Sequence, residues 1–378
     1  MRYVDMTFKR LFLAGVLLLA SMTAFCLDRE FTHPGLLHSA SDLEFMRAKA
    51  LSGEEPWKGA WEQLKASPVA QLDYRATPFR VVSNGPYNKP NIGGNEFVRD
   101  GTAAYTMALQ WYIERDSAYA EKAIEIFNDW ACTLDSVVNH NRQLKVGTGA
   151  VKYLNAAEIL KYTYPAWKEA DRKAFETMVM EKLYPVIKDW TPRYNGNWDA
   201  ANGQTLLSIG VYMDRPDIFE AASRQMVDGD SNGAIKNYFL DNGQCQESGR
   251  DQQHVQMGIG YLANAAEIAW HQGLDLYGAF DNRLYRGFEY TARYMSGEEV
   301  PYQQYETWYG RKVFGDTISP GQRDKVFPVW ERAYRHFHGR KGMDMPYTRK
   351  MIEKSRPEGS EVHSFVPWST LTCADFPE

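Results

Sequence analysis

The stretch "GTAAYTMALQWYIERDSAYAEKAIEIFNDWA", residues 101–131, indicates how most of this chain is built. Apolar residues recur at three- and four-residue steps on both sides of a short polar break at residues 114–117, which is typical of two antiparallel amphipathic helices. The same design returns in "NGQTLLSIGVYMDRPDIFEAASRQM", residues 202–226, and few segments show the alternation of a β-strand. The sequence therefore predicts an all-α protein made of helix hairpins.

A second internal repeat pairs "YLNAAEILKY", which starts at Tyr153, with "YLANAAEIAW", which starts at Tyr261. Small Ala residues in both copies suit close approach of neighbouring helices. Helix pairs that return at irregular intervals of roughly 50 residues indicate stacked hairpins, either in an open solenoid or in a closed ring. No Pro/Ser-rich linker divides residues 27–378, so we expect one domain there.

Composition narrows the possible partners. A chain of 378 residues with 44% hydrophobic content can bury a sizeable core. The formal net charge is −5 and the Lys and Arg residues are scattered, so nucleic acid is not an expected partner. The aromatic content of 14% suits a protein that stacks rings against sugars, although aromatic side chains also fill cores.

The N-terminus reads as an export signal over residues 1–26. Lys9 and Arg10 precede the apolar run "LFLAGVLLLASMTAF", which is too short to span a bilayer comfortably. We therefore expect an exported protein, periplasmic or secreted, with no stable membrane insertion after signal removal. A lipid anchor on Cys26 is the weaker alternative, because Phe25 is bulky where a lipoprotein signal has a small residue.

Several classes of chemistry have no support in the sequence. Cys132, Cys245 and Cys373 form an odd, sparse set without disulfide or metal-ligand spacing. There is no Ser-His-Asp order, Gly-rich phosphate loop or HExxH zinc pattern. We therefore expect no metal and no cofactor, and the sequence gives no indication of oligomeric state.

Two polar clusters stand at predicted helix starts. In "NGNWDAANGQ", residues 195–204, capping would explain the Asn and Gly residues, but Trp198 beside Asn197 favours a surface for a sugar. In "QESGRDQQHVQ", residues 246–256, a helix that begins near Ser248 would place Arg250 and His254 on one face. The alternative is a surface histidine and an ordinary ion pair. Because the continuation is apolar and Ala-rich, we expect the polar end to open into a cleft.

Two further clusters lie in long connections, which are usually functional inside a compact domain. "VPYQQYETWYGRK", residues 300–312, offers Tyr302, Tyr305 and Tyr309, which either pack the loop or take part in catalysis. "NKPNIGGNEF", residues 88–97, offers Asn95 as a sugar-contacting or turn-forming residue.

Asn, His, Arg and Tyr together suit β-elimination from a uronic acid. The proton on C5 becomes acidic only when the adjacent carboxylate is neutralised, so amide and guanidinium donors must stabilise the developing enediolate. A side chain then removes that proton, and a Tyr or His returns one to the leaving O4.

At these residues the sequence resembles the alginate-lyase-like superfamily of (α/α) toroid polysaccharide lyases, most closely polysaccharide lyase family 38, over nearly the whole chain after the signal. The resemblance implies an incomplete (α/α)6-7 toroid. It gives Asn197 the place of the carboxylate-neutralising Asn, and Arg250 that of an assisting Arg. Trp198 stands where some relatives have a catalytic His. The family's Tyr about two turns after the Arg has no clear equivalent, so His254 is the substitute, and "EEVPYQQY" favours Tyr305.

The leading prediction is a lyase that cleaves a 1,4-linked polyuronate, alginate or glucuronan, and leaves 4,5-unsaturated uronate ends. The predicted catalytic residues are Asn197, Arg250, His254 and Tyr305. The predicted substrate-binding residues are Trp198, Asn202, Tyr302, Tyr309 and Asn95.

Two alternatives stay open. A glycoside hydrolase of unsaturated uronyl oligosaccharides on the same fold would need two carboxylates, for which Asp199, Glu247 and Asp251 are available. A non-catalytic helical glycan-binding protein would use the aromatic loops alone.

Overall fold

A computed structural model of the protein describes residues 29–360 and 364–374. The predicted export signal over residues 1–26, with Cys26, lies outside the described residues. Within those two described ranges, no helix is both long enough and apolar enough to cross a membrane.

Helices dominate the described chain. The α-helices are α1 (Ala40–Ser52), α2 (Trp57–Ala66), α3 (Gly94–Glu114), α4 (Ser117–Thr133), α5 (Arg142–Thr163), α6 (Glu169–Met178), α7 (Tyr184–Ile187), α8 (Gly196–Tyr212), α9 (Pro216–Asp228), α10 (Ile235–Tyr238), α11 (Gln252–His271), α12 (Ala279–Met295), α13 (Trp330–Tyr334), α14 (Pro346–Ser355) and α15 (Ser369–Cys373). The strands are short: β1 (Val81–Asn84), β2 (Asn91–Ile92), β3 (Ser136–Val138), β4 (Tyr305–Glu306) and β5 (Lys312–Val313).

Both predicted hairpins are confirmed. Helix α3 ends where Arg115 adopts a left-handed conformation, and α4 begins at once because the side chain of Asp116 accepts a hydrogen bond from the Ala118 N–H at 2.9 Å. Helix α8 is followed by Asp214 in a left-handed conformation, and α9 begins without a side-chain cap, with Pro216 at the first helical position, where its missing N–H costs nothing.

Four long helices, α3, α5, α8 and α11, pack side by side in chain order and form the inner layer. Every residue of α8 is buried. Close approach depends on small residues, as the repeated Ala-rich segments predict: a Cβ on Gly147 would lie 2.8 Å from the backbone of Ala201 in the next helix. Helices α4, α9 and α12 each pack back against the preceding long helix.

The C-terminal helices close the ring. Helix α13 packs on α11, α15 on α13 and α1, and α1 on α3. The indole Nε1 of Trp368 donates to Oγ1 of Thr106 at 2.8 Å and ties the end of the described chain to α3. The helices therefore form a ring and not an open solenoid. The toroid is incomplete because the helices that close it are short.

A small sheet fixes the loops at one end of the toroid. Strand β1 pairs antiparallel with β2 and parallel with β3. Strand β3 leads directly into α5, and the backbone N–H of Asn141 donates to the Asn84 carbonyl at 2.8 Å. The loop between β1 and β2 is thereby held beside the N-terminus of α5.

Candidate active site

A cavity of about 740 Å³ opens at the end of the ring where several loops meet. Its walls come from the loop at residues 86–88 and from the residues at the starts of α5, α8 and α11. The structure confirms the prediction that polar helix starts open into a cleft. Three N-termini of long helices therefore point their positive dipole ends toward one space.

The ionisable side chains that give the lining its charge are basic. Lys145, Arg250, His140 and His254 line the cavity, whereas none of the lining residues in the described chain is Asp or Glu. Burial lowers the pKa of Lys145, and the negative charge of Glu96 opposes that shift. With the helix dipoles, this lining favours an anionic ligand.

Arg250 reaches the cavity from a different local structure than predicted. Helix α11 begins at Gln252, not near Ser248, and residues Gln246–Gly249 form a 3-10 turn before it. An Arg250 Nη1 hydrogen bond to Oε2 of Glu247, at 3.3 Å, holds the guanidinium at the wall. Glu247 is fully buried, and burial raises its pKa even though Arg250 lies beside it.

His254 is oriented by the residue that caps its helix. The carboxylate of Asp251 accepts from the His254 backbone N–H at 2.8 Å and lies 2.7 Å from Nδ1 of the ring. Burial would raise the pKa of Asp251, but these two hydrogen bonds outweigh it and hold that pKa below its usual value. An ionised Asp251 makes Nδ1 the protonated nitrogen, so Nε2 carries the lone pair.

The start of α8 contributes Asn195, Asn197 and Trp198 to the cavity. Asn195 occupies the N-cap position, yet its side chain makes no capping hydrogen bond. Asn197 is 1% exposed, and no described residue bonds its Oδ1. Helix capping therefore does not account for these two side chains. The buried Oδ1 of Asn197 has no partner among the described residues, so this side chain is available to a ligand.

Aromatic rings line the wall beside Trp198. Tyr194 meets Trp198 edge to face at 4.7 Å between ring centroids, and His140 meets it edge to face at 5.5 Å. The sequence reading missed His140 and Tyr194. The signal was present in "NHN", residues 139–141, because it is a third polar run directly before a long helix.

The three tyrosines of the 300–312 loop lie outside the cavity lining. Tyr305 is 2% exposed, and its hydroxyl donates to the Asn237 carbonyl. The Tyr302 hydroxyl donates to the Gly315 carbonyl at 2.9 Å, and that of Tyr309 to the Arg193 carbonyl at 3.3 Å. The structure thus brings Asn197, Trp198, Arg250 and His254 together without these phenols, which instead secure loops behind the cavity.

The two remaining predicted residues also lie elsewhere. Asn202 is fully buried in α8, and its amide has no hydrogen-bond partner among the described residues. Asn95 lies in the first turn of α3 and accepts from Nδ2 of Asn91 at 2.8 Å. Neither side chain lines the cavity.

One group of potential metal ligands occurs in the described chain, formed by Asp42, Glu267 and His271. Arginines already bind its carboxylates. Arg340 donates to both oxygens of Glu267, at 3.0 and 2.7 Å, and Arg335 donates to Asp42. This arrangement neutralises the carboxylates, so it is an ion-pair network within the fold.

Comparison with known proteins agrees with this geometry. A family model described as alginate lyase matches residues 59–301. The chain belongs to the alginate lyase family. This membership makes it a polysaccharide lyase. No curated protein matches the chain.

Solved structures show the same fold. An alginate lyase from Bacteroides ovatus aligns with a TM-score of 0.61 and 14% identity, covering 91% of this chain and all of that one. Alginate lyase A1-III from Sphingomonas species A1 aligns with a TM-score of 0.61 and 14% identity, covering 88% of this chain and 94% of that one. The predicted all-α toroid is confirmed.

Proposed function

We propose that this polysaccharide lyase cleaves a 1,4-linked polyuronate, alginate or glucuronan, by β-elimination and leaves a 4,5-unsaturated uronate at the new chain end. One observation carries the proposal: the cavity of this alginate lyase family member presents Arg250, Lys145 and His254, and its described lining contains no carboxylate. Such a lining attracts a polyanion and lacks the residues of a hydrolase. Membership in polysaccharide lyase family 38 is part of the same proposal.

Asn197 and Arg250 bind and neutralise the carboxylate of the uronate whose C5 proton is removed. As that proton leaves, negative charge moves onto the carboxylate oxygens, and fixed donors in a buried site stabilise it at little reorganisation cost. Glu247 holds Arg250 from behind at 3.3 Å, so the guanidinium is already in place when substrate binds.

His254 is the base that takes the C5 proton through Nε2. Its Nδ1 lies 2.7 Å from the Asp251 carboxylate, which fixes the tautomer and stabilises the imidazolium that forms. Tyr305 has no part in this mechanism, because its phenol is buried and donates to the Asn237 carbonyl. Trp198 and Tyr194 offer ring faces and edges to the sugar.

The hydrolase alternative is disfavoured by the positions of the acidic residues. Asp199 accepts from the Thr191 N–H and hydroxyl at 2.6 and 2.7 Å, Glu247 is fully buried, and Asp251 is engaged by His254. A hydrolase needs two carboxyl groups that flank the scissile bond, about 5–9.5 Å apart.

Export belongs to the proposal as well. The apolar run after Lys9 and Arg10 supports a cleaved signal over residues 1–26, and a domain over residues 27–378 would then act on polysaccharide outside the cytoplasm.

The test offers the purified protein polymannuronate, polyguluronate and glucuronan, with a neutral glucan as control. We expect at least one polyuronate to be shortened with growing ultraviolet absorbance from the conjugated product, and the neutral glucan to be left intact. By mass spectrometry, the products should be lighter by one water than saturated oligosaccharides of the same length. Shortened chains that are all saturated would show hydrolysis, and saturable binding without shortening would show a binding protein.

A further inference from the structure

We propose that His140 donates the proton that O4 of the departing sugar requires, so that two histidines divide the two proton transfers. This inference rests on the proposed lyase reaction. It assigns a catalytic role to a residue that lies in the cavity lining at the start of α5.

The hydrogen bonds around His140 define which ring nitrogen faces the ligand. Nδ2 of Asn141 donates to the Gly85 carbonyl at 2.8 Å, so Oδ1 of that amide must be the acceptor for its other neighbour. That neighbour is Nδ1 of His140, 2.7 Å away. Nδ1 therefore carries a hydrogen, and Nε2, which no described residue bonds, is available in the cavity.

Two further contacts hold the ring in position. Tyr194 stacks on it with centroids 5.6 Å apart and an interplanar angle of 13°, and Trp198 meets it edge to face. The His140 backbone N–H donates to Oδ1 of Asn139 at 2.8 Å. A group that must meet a leaving oxygen in one orientation needs such restraint.

The two histidines are placed so that each can carry out one of the two proton transfers. His254 comes from the start of α11 and His140 from the start of α5, and α8, with Asn197 and Trp198, packs between those helices. The sugar would lie against the α8 wall with an imidazole on either side. This arrangement suits guluronate, in which the C5–H and C4–O4 bonds lie on opposite faces of the ring, so that one residue cannot serve both. In mannuronate and glucuronate the two bonds lie on the same face, and the inference therefore also names guluronate as the substrate.

The elimination balances with these two groups. His254 Nε2 takes the proton from C5, and the C–H electron pair forms the C4–C5 double bond. The C4–O4 bond breaks, and O4 takes the proton from Nε2 of a doubly protonated His140. His254 ends the step protonated and His140 neutral, and proton exchange with water restores both.

The experiment compares two leaving groups. In polyguluronate the group that leaves C4 is a sugar oxygen, which needs a proton, whereas in a synthetic guluronide with fluorine at C4 the leaving group is fluoride, which needs none. We expect His140→Gln to slow cleavage of the polymer by about 10²–10⁴-fold and to keep most activity on the fluoride. His254→Gln should lose activity on both, because both substrates require removal of the C5 proton.

The ratio of the two rates within one preparation cancels any loss of folded protein, so a partly misfolded variant still gives an answer. Tyr194→Phe is the matched control: it keeps the ring that stacks on His140 and removes a phenol that could otherwise supply the proton. Weaker sugar binding would lower both rates, so the ratio should stay at the wild-type value. A normal ratio in His140→Gln, or the shifted ratio in Tyr194→Phe instead, would overturn the assignment. If the wild type forms no unsaturated product from either substrate, this inference fails; if it forms none from any polyuronate, the lyase proposal itself fails with it.

Discussion

Two clusters of this protein, one in the interior and one at the cavity, contain histidine, arginine and carboxylate side chains, yet they differ in how those charges are balanced. The interior network, formed by Asp42, Glu267, His271, Arg335 and Arg340, joins α1 and α11 to the C-terminal segment. Nε2 of His271 lies 3.0 Å from Asp42, and Arg340 binds Glu267 with two hydrogen bonds. In the cavity, Arg250 has one long contact, and Lys145 has no ion pair with any described residue.

The pKa values show the same contrast. Burial would raise the pKa of Glu267, but Arg340 and Arg335 outweigh it and hold the pKa far below its usual value. Beside the cavity, burial prevails at Glu247 and raises its pKa despite Arg250. A raised pKa weakens Glu247 as a counter-charge, so the guanidinium of Arg250 keeps its positive charge for a ligand, whereas the compensated charges of the interior network belong to the fold. Single substitutions in each cluster test this distinction.

The largest effect is expected from His254→Gln. Loss of the proposed base should lower kcat on the polyuronate by about 10²–10⁴-fold. The unfolding midpoint should change little, because His254 is partly exposed and its backbone N–H still donates to Asp251. Initial rates from the absorbance of unsaturated product, with thermal unfolding of the same sample, check this. A variant with normal kcat would contradict the role of His254.

The next largest effect is expected on stability and not on activity. Glu267→Gln removes the charge that binds Arg335 and Arg340, and we expect the free energy of unfolding to fall by about 3–5 kcal/mol, because uncompensated buried guanidinium groups remain. Activity per folded molecule, measured well below the unfolding midpoint, should stay within twofold of wild type. If Glu267→Gln instead abolished activity in a fully folded protein, the interior network would be part of the site.

Acid should weaken the fold through two neutral histidines near the interior network. Burial lowers the pKa of His38 to about 3 and that of His336 to about 4. An unfolded histidine has a pKa near 6.5, so the stability these groups contribute is full above about pH 6.5 and is lost as pH falls toward about 4. Each group contributes at most about 1.4 kcal/mol per pH unit in that range. Unfolding midpoints between pH 7 and 4.5 should fall, and less steeply in His38→Gln; equal slopes would contradict this.

The smallest effect is expected from Tyr305→Phe. Its hydroxyl donates to the Asn237 carbonyl and is buried, so its removal should cost about 1 kcal/mol of stability and change kcat less than twofold. A large loss of kcat with unchanged stability would return Tyr305 to the catalytic set.

The sequence predicts the helix hairpins because their periodicity and their caps, such as Asp116 and Pro216, are local. Ring closure is not local: it depends on contacts such as that of Trp368 with Thr106, 262 residues apart. Helix periodicity alone therefore leaves solenoid and ring open, and the toroid is predicted only through the family resemblance.

The candidate site shows the same difference between local and long-range features. Asn197, Trp198, Arg250 and His254 were found because a polar run at a helix start is visible in the chain. His140 carried the same signal in a shorter run and was missed. Whether Tyr305 faces the cavity or a backbone carbonyl depends on the path of a loop, which no local pattern encodes.

The central claim is that a side chain of this cavity removes the C5 proton of a bound uronate. The direct measurement uses a polyuronate labelled with deuterium at C5 and follows the label by mass spectrometry and NMR. The account predicts unsaturated ends that have lost the deuterium, formed more slowly than from unlabelled polymer when chemistry limits the rate. Shortened chains that are saturated and keep the deuterium at C5 would contradict it.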